Sequence, residues 1–450
     1  MANPAQNFTK GRIFAPLIKF ALPVLFALFL QTMYGAVDLM VVGQFSTAAD
    51  VSAVATGSQL MMTVTVVITG LAMGLTVLVG RKIGAGSSQE AGKIIGSGIF
   101  LFGIIGIVLT ICMVSCSELL AEVLHAPEEA FTKTVTYISV CSAGAIFIVA
   151  YNLLGSIFRG IGDSRMPLIT VAIACVLNIA GDLLLCAVFR MGALGAAIAT
   201  VFAQAVSVAF SLVIIKKRKL PFEFHLKDIR PDKIYIKETL RLGTPIALQE
   251  LLVSISFLVI MAIVNSLGLT ASAGVGVAEK LCGFIMLVPS SYMQSMSAFV
   301  AQNMGAQKPG RARKALFCGI ASSLAVGIII GGFTFFRGNL LAGIFAKDTE
   351  VILAAAEYLK AYAIDCLLTS FLFCFIGYFN GCSNTSFVML QGIIGAFGVR
   401  LPVSWIMSKR VPVSLFHIGL ATPASTIVQI VLCAIFFAVM LHTEKRKFKH

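Results

Sequence analysis

The chain has 450 residues, 58% of them hydrophobic and only 12% charged, with a formal net charge of +14. That composition excludes an ordinary water-soluble globule, whose surface needs about twice this charged fraction. The chain reads as a polytopic membrane protein, and its basic excess speaks first of orientation in the bilayer rather than of nucleic acid.

Apolar runs of about 20 residues, separated by Gly, Pro and charge clusters, predict twelve helices: 17–43, 52–79, 93–115, 131–156, 166–188, 193–215, 241–266, 273–301, 314–336, 351–379, 387–407 and 414–441. The fold class is therefore all-α, spanning the membrane twelve times. No convincing cleavage site follows the first apolar run, which reads as a retained span. With the N-terminus inside, the cytoplasmic segments collect Lys10, Arg12, Lys19, Arg81, Lys82, Lys93, Arg159, Arg165, the stretch 216–241, 308–314 and 445–449. That is about 25 of the 34 basic residues, as the positive-inside rule requires. Glu118, Glu122, Glu128 and Glu129 fall outside, and both termini are cytoplasmic. The 11 cysteines are scattered through apolar runs without a CxxC pair, which favours packed free thiols over disulfides or zinc.

The longest polar stretch falls at mid-chain and divides an N-terminal lobe, 1–215, from a C-terminal lobe, 241–450, through a cytoplasmic linker, 216–240. The two halves repeat. Val79 falls onto Val300, Gly84 onto Gly305, Ala91 onto Ala312, Lys93 onto Lys314, Glu129 onto Glu350, Tyr137 onto Tyr358 and Gly160 onto Gly381, all 221 apart. Without a gap, 16 of the 82 positions from 79 to 160 are identical, more than this composition gives by chance. Six spans per half give two repeats of the same orientation, one of the known transporter plans. The repeat is also a control: Asp38 and Asp182 have Val259 and Val403 at the duplicated positions. Features kept in both copies read as structure, and unduplicated charges as function.

Asn178 and Asp182 lie one turn apart on one face of the fifth span. An ionisable group at the centre of a membrane helix costs about 2.5 to 3.5 kcal/mol even on insertion scales, so it faces a partner, a cavity or an ion path. The first and fifth spans run outward and the sixth inward, which places Asp38, Asp182 and Thr200 at matched depth, roughly 7 to 12 Å below the outer surface at about 1.5 Å per residue. Two carboxylates in one dry site exchange a proton or take a monovalent cation, with Asn and Thr oxygens completing the shell. Gln31, Tyr34 and Asp38 share a face of the first span; a cavity wall and ordinary helix packing both explain it. Pro23, about four turns earlier, is a place for a bend.

In the second half Glu250, Glu279, Lys280, Asp365 and Arg400 lie inside predicted spans, with lining a cavity and pairing internally both open. Met33, Met40, Met61, Met62 and Met73 read as core packing or as an adaptable surface. No enzyme motif is present. The stretch from Gly86 to Lys93 has five residues between its glycines instead of the four of a phosphate loop, and Ile94 replaces the Mg-binding hydroxyl. No cofactor is called for, and transport must draw on an ion gradient or a partner.

These residues resemble the multidrug and toxic compound extrusion (MATE) family of the MOP superfamily. The likeness is carried by Pro23 with Val37-Asp38 and Val42-Gly43; Val79-Gly80 through Gly84-Ala85; Arg159-Gly160-Ile161-Gly162-Asp163 to Pro167; Asn178 with Asp182; Gly192 through Thr200; and Gln302-Asn303-Met304-Gly305-Ala306. The resemblance implies two six-helix lobes in the cell membrane exporting cationic or amphiphilic drugs against entering H⁺ or Na⁺. It also implies an N-lobe H⁺ or Na⁺ site at Asp38, Asn178, Asp182 and Thr200, with the Ala196 carbonyl as an extra ligand, and a substrate wall at Tyr34. The C lobe departs from the sodium-coupled branch: Glu250 follows Pro245 by five residues instead of about eight, with Val253 in the other place. Asp365 likewise lies nearer its helix end, so the cation site is assigned to the N lobe. Small amphiphilic molecules and membrane lipid are the implied partners, with no nucleic acid and no obligate protein. The alternative function is a flippase of a lipid-linked sugar, which shares the two-lobe plan; a receptor or scaffold would not need it.

Overall fold

The structure is a computed structural model, and it describes residues 8–217 and 224–447. Among these there is no strand. The principal helices are α1 (Phe14–Phe45), α2 (Ala48–Gly84), α3 (Ser88–Ser115), α4 (Phe131–Ala143), α5 (Ala145–Ile161), α6 (Arg165–Asp182) and α7 (Gly192–Lys217). They continue as α8 (Lys233–Asn265), α9 (Leu269–Ile285), α10 (Leu287–Gly305), α11 (Pro309–Ala342), α12 (Thr349–Gly381), α13 (Thr385–Ile393), α14 (Leu401–Ser408) and α15 (Ala421–Lys447). Eleven stretches are long and apolar enough to cross a membrane, and α4 with α5, bent by 49°, makes the twelfth.

The order of the spans is the predicted one, but the helices overrun their apolar cores. α2 covers 48–84 where hydropathy marks 52–79, and α8 starts at Lys233 rather than 241. The extra turns are polar and are held by packing and caps, to which a hydropathy window is blind. At the start of α2, Thr47 accepts from the Asp50 amide while the Asp50 carboxylate accepts from that of Thr47, a reciprocal cap. At the end of α5, Gly162 takes a left-handed φ of 88° and stops the helix. The fifth span is not uniformly α-helical: Leu183–Val188, directly after Asp182, form a π-helical turn.

The chain divides into two compact units, Met1–Ala247 with Ala301–Lys308, and Leu248–Val300 with Pro309–His450. The boundary runs through α8, seven residues beyond the linker expected at 216–240, because the first turns of α8 dock on α2. A Cβ on Gly74 would lie 2.6 Å from the Gly243 nitrogen, and one on Gly70 2.8 Å from the Ala247 Cα. Of the linker itself, residues 218–223 lie outside the described residues. From Phe224 onward it packs on α3, with Phe224 against the first unit's core, the Asp228 carbonyl over Gly96, and the Asp232 amide donating to Ser97 Oγ at 3.4 Å.

The sequence repeat is a repeat of contacts. Gly98 faces Leu75, and Gly319, 221 positions later, faces Met296, the counterpart of Leu75. Gly160 lies on Thr76 and Val79, and Gly381 on Ser297 and Val300. All eleven cysteines are free thiols, with Cys112 and Cys116 exposed. Arg159, counted above with the cytoplasmic cations, is buried inside α5, where its Nη2 donates to Ser156 Oγ at 2.9 Å.

Candidate functional site

The first unit brings together the four polar residues singled out on spans one, five and six. Small side chains make this possible, since membrane helices approach closely only where residues are small. A Cβ on Gly181 of α6 would stand 2.9 Å from the Ala199 Cβ of α7. A Cβ on Gly195 would stand 3.1 Å from the Leu185 Cβ, and Ser207 of α7 donates to the Thr170 carbonyl of α6 at 2.8 Å. This pairing sets Thr200 against Asn178. Asn178 Nδ2 donates to Thr200 Oγ1 at 3.3 Å, and Thr200 Oγ1 donates to Asp38 Oδ2 of α1 at 3.4 Å. The Asp38 and Asp182 carboxyl groups face each other.

The cluster is dry: Asp38 is 3% exposed, Asn178 1% and Asp182 0%. Asp38 Oδ1, Asn178 Oδ1 and both oxygens of Asp182 are buried with no protein donor in reach. Leaving a buried acceptor unpaired costs about 1 to 3 kcal/mol, more for a charged group. Two carboxylates about 4 Å apart repel by about 4 kcal/mol at an effective dielectric of ~20. Four oxygens without donors and two like charges therefore favour a proton or a monovalent cation between the acids. An oxygen-only set suits H⁺ or a hard cation such as Na⁺ and does not suit zinc. Among the described residues no group of three or more His, Cys, Asp or Glu is arranged for a metal ion. Ala196 is fully buried in the same core as Val41 and Val42.

Next to the acids lies a small pocket. Gln31 and Tyr34 line it, as the shared face of the first span allows, together with Thr65, Tyr151, Asn152 and Gln204. The Tyr34 phenol faces the Gln204 amide and feels the charge of Asp38, one turn away along α1. Asn152 accepts from Thr69 Oγ1 at 2.7 Å. Tyr151, Asn152 and Gln204 were not singled out in the sequence, because lone polar residues at span centres are common and nothing marks which face they take.

A second arrangement escaped the sequence reading altogether. Asp50, buried at the head of α2, accepts from Lys133 Nζ at 2.7 Å and from the Ala193 amide of α7 at 3.1 Å. Gly192, with φ of 56°, leaves room for that carboxylate where a Cβ would strike it. The capping pattern Thr47 to Asp50 was the available signal, but it does not disclose the partner 143 residues away.

In the second unit, Arg400 Nη1 donates to Ser256 Oγ at 3.1 Å and the guanidinium lies 4.4 Å from the Phe257 ring centroid. Asp365 and Arg400 are both buried and feel each other's charge. Glu279 sits beside Tyr358 and Tyr362, Glu250 is half-buried on α8, and Lys280 is exposed on α9.

The sequence profile of the family described as MatE matches the chain twice, over residues 23–184 and 245–406, once per half and 222 residues apart. A probable multidrug resistance protein of Bacillus subtilis strain 168, YpnP, is 27% identical, covering 89% of this chain and 86% of that protein. The multidrug export protein MepA of Staphylococcus aureus strain NCTC 8325 is 24% identical over 89% of this chain and 88% of its own length. Among solved structures, a multidrug resistance MATE family transporter of the MOP superfamily in an outward-facing conformation superposes with a TM-score of 0.91 at 20% identity, covering 98% of both chains. A MOP superfamily transporter from Pyrococcus furiosus Vc1 gives a TM-score of 0.92 at 20% identity, covering 97% of this chain and 98% of that one. With both halves matched and the twelve-span plan reproduced, the chain belongs to the MATE family of integral membrane transporters, which are not enzymes.

Proposed function

We propose that the chain exports cationic or amphiphilic compounds across the cell membrane in exchange for H⁺ or Na⁺, with Asp38, Asn178, Asp182 and Thr200 as the coupling site and Gln31 and Tyr34 on the substrate wall. The observation that carries this reading is the pair of facing, buried carboxylates, three of whose four oxygens lack protein donors, set beside a pocket one helical turn away. The names of YpnP and MepA support multidrug export, and the cationic or amphiphilic character of the drugs follows from the family resemblance. Cation binding between the acids draws α1 and α6 together, and Tyr34 moves with Asp38 because both sit on one face of α1. Drug and cation then weaken each other's binding by the same factor, as linkage requires. Both termini lie in the cytoplasm, the side the basic residues mark. Apart from lipid and small-molecule substrates no partner is required, and the coupling ion is cargo rather than a cofactor. The flippase alternative has no observation in its favour, since no basic side chain lines the first unit's pocket to hold a pyrophosphate.

The test is efflux of a fluorescent cationic drug from proteoliposomes under an imposed pH or Na⁺ gradient. Wild type extrudes the drug with one of the gradients, and Asp38→Asn and Asp182→Asn each lose at least about tenfold of that rate. Full gradient-driven efflux by both variants overturns the assignment.

A further inference from the structure

The polar core of the second unit has its own cation. Spans one, five and six meet at the acids of the first unit; in the second unit the seventh and eleventh spans meet through Ser256 and Arg400, and Asp365 of α12 faces Thr426 of the twelfth span. Arg400 closes a π-helical turn, Ile394–Arg400, in the eleventh span, and in the fifth span a π turn, Leu183–Val188, begins directly after Asp182. Each π turn thus has a charged group at one end, of opposite sign and at non-equivalent positions of the repeat.

The environment of Arg400 is built for a guanidinium. One face lies over the Phe257 ring, one nitrogen reaches Ser256, and the Asp365 carboxylate answers its charge. The residue is buried, as are Asp365, Ser256 and Thr426. The acids within the same core are Asp365 and Glu279, the latter beside Tyr358, Tyr362 and Cys282. Arg400 Nε and Asp365 Oδ1 have no protein partner, so the two groups compensate each other by charge rather than by a forked hydrogen bond. An arginine keeps its proton under all physiological conditions, which makes this cation permanent.

We propose that the Arg400 guanidinium is a tethered cation that compensates the buried Asp365 carboxylate in the second unit's polar core. The contrast with the first unit rests on the coupling site proposed above; the guanidinium site itself does not. Removing the side chain while keeping Asp365 leaves a cavity of guanidinium shape beside an uncompensated carboxylate, and a free guanidinium ion fits it.

The experiment is thermal unfolding of the purified full-length Arg400→Ala chain in detergent, with low-millimolar guanidinium chloride, sodium chloride or urea. Arg400→Ala is expected to melt several degrees below wild type, and guanidinium alone is expected to raise its melting temperature, with no such rise in wild type. Asp365→Asn added to Arg400→Ala removes the guanidinium effect. Adding Asp38→Asn leaves it intact, which separates this proposal from the coupling assignment. A melting temperature equal to wild type, or an equal response to guanidinium in wild type and in the double variant, overturns the proposal. Should Arg400→Ala not fold, Asp365→Asn, Arg400→Met and their combination decide: the neutral pair must melt above the sum of the single losses, and simple additivity overturns the proposal.

Discussion

Gly84 and Gly305, 221 positions apart in the chain, meet at one helix crossing where neither has room for a methyl group: a Cβ on Gly84 would strike the Gln302 carbonyl, and one on Gly305 the Arg81 carbonyl. Gln302 is itself 221 positions after Arg81, so the crossing of α2 and α10 is reciprocal, as a duplicated unit makes it. Beside it Gln302 Nε2 donates to the Gly160 carbonyl at 3.0 Å, and Asn303 Nδ2 to the Phe8 carbonyl at 3.2 Å.

Overpacking a close helix crossing costs about 1 to 3 kcal/mol. Gly84→Leu and Gly305→Leu are each expected to lower the unfolding temperature by several degrees, and the double variant by less than the sum, because both open the same crossing. Gly35→Ala, with nothing within 4 Å of the added carbon, is the control and is expected to change stability by less than about 0.5 kcal/mol. Thermal unfolding in one detergent checks all four.

The Asn178, Thr200, Asp38 chain of hydrogen bonds predicts a graded series. Thr200→Val removes the hydroxyl that joins α7 to Asp38, and a bond to a charged group is worth about 1.5 to 3 kcal/mol. Cation affinity is expected to fall by roughly 10- to 100-fold, while Thr200→Ser retains most of it. The cation concentration at half-maximal drug efflux measures this.

Asp50 acts at a distance from the acids. It caps α2 and holds the Ala193 amide at the start of α7, the helix that carries Thr200. Asp50→Ala is expected to cost about 1 to 3 kcal/mol of stability through the lost cap and the exposed amide. Lys133→Met, which removes the ion pair with a partly exposed lysine, is expected to cost less than about 1 kcal/mol. Chemical unfolding of the two variants side by side gives the order.

The pocket makes a prediction about selectivity. Tyr34→Ala enlarges the wall that Tyr34 shares with Gln204 and Asn152, and is expected to change the rank order of exported drugs. Tyr34→Phe removes only the phenol that faces Gln204 and is expected to keep that order. Efflux of a panel of cations of graded size distinguishes the two.

Much of this was legible in the chain. Twelve apolar runs and the 221-residue repeat follow from hydropathy and self-comparison, and the rise of a helix was enough to single out Asp38, Asp182 and Thr200 as residues that could meet, all of which act locally or by simple arithmetic. The π turn after Asp182 was not legible, because one extra residue in a helical turn leaves hydropathy unchanged. The Asp50 link to Ala193 was hidden for a different reason: it is made by a backbone amide, which every residue carries. Arg159 was placed in a loop by its charge, and the structure buries it because α5 continues to Ile161. Polar groups that bond across units of sequence hundreds of residues long leave no spacing to read.

Linkage between drug and cation is the centre of the account, and the affinity of the purified protein for a cationic drug, titrated over pH and over Na⁺ concentration, tests it most directly. Wild type is expected to bind the drug more weakly as the coupling cation rises, and the Asp38→Asn, Asp182→Asn double variant to bind it with one affinity throughout. A cation dependence that survives unchanged in the double variant would contradict the account.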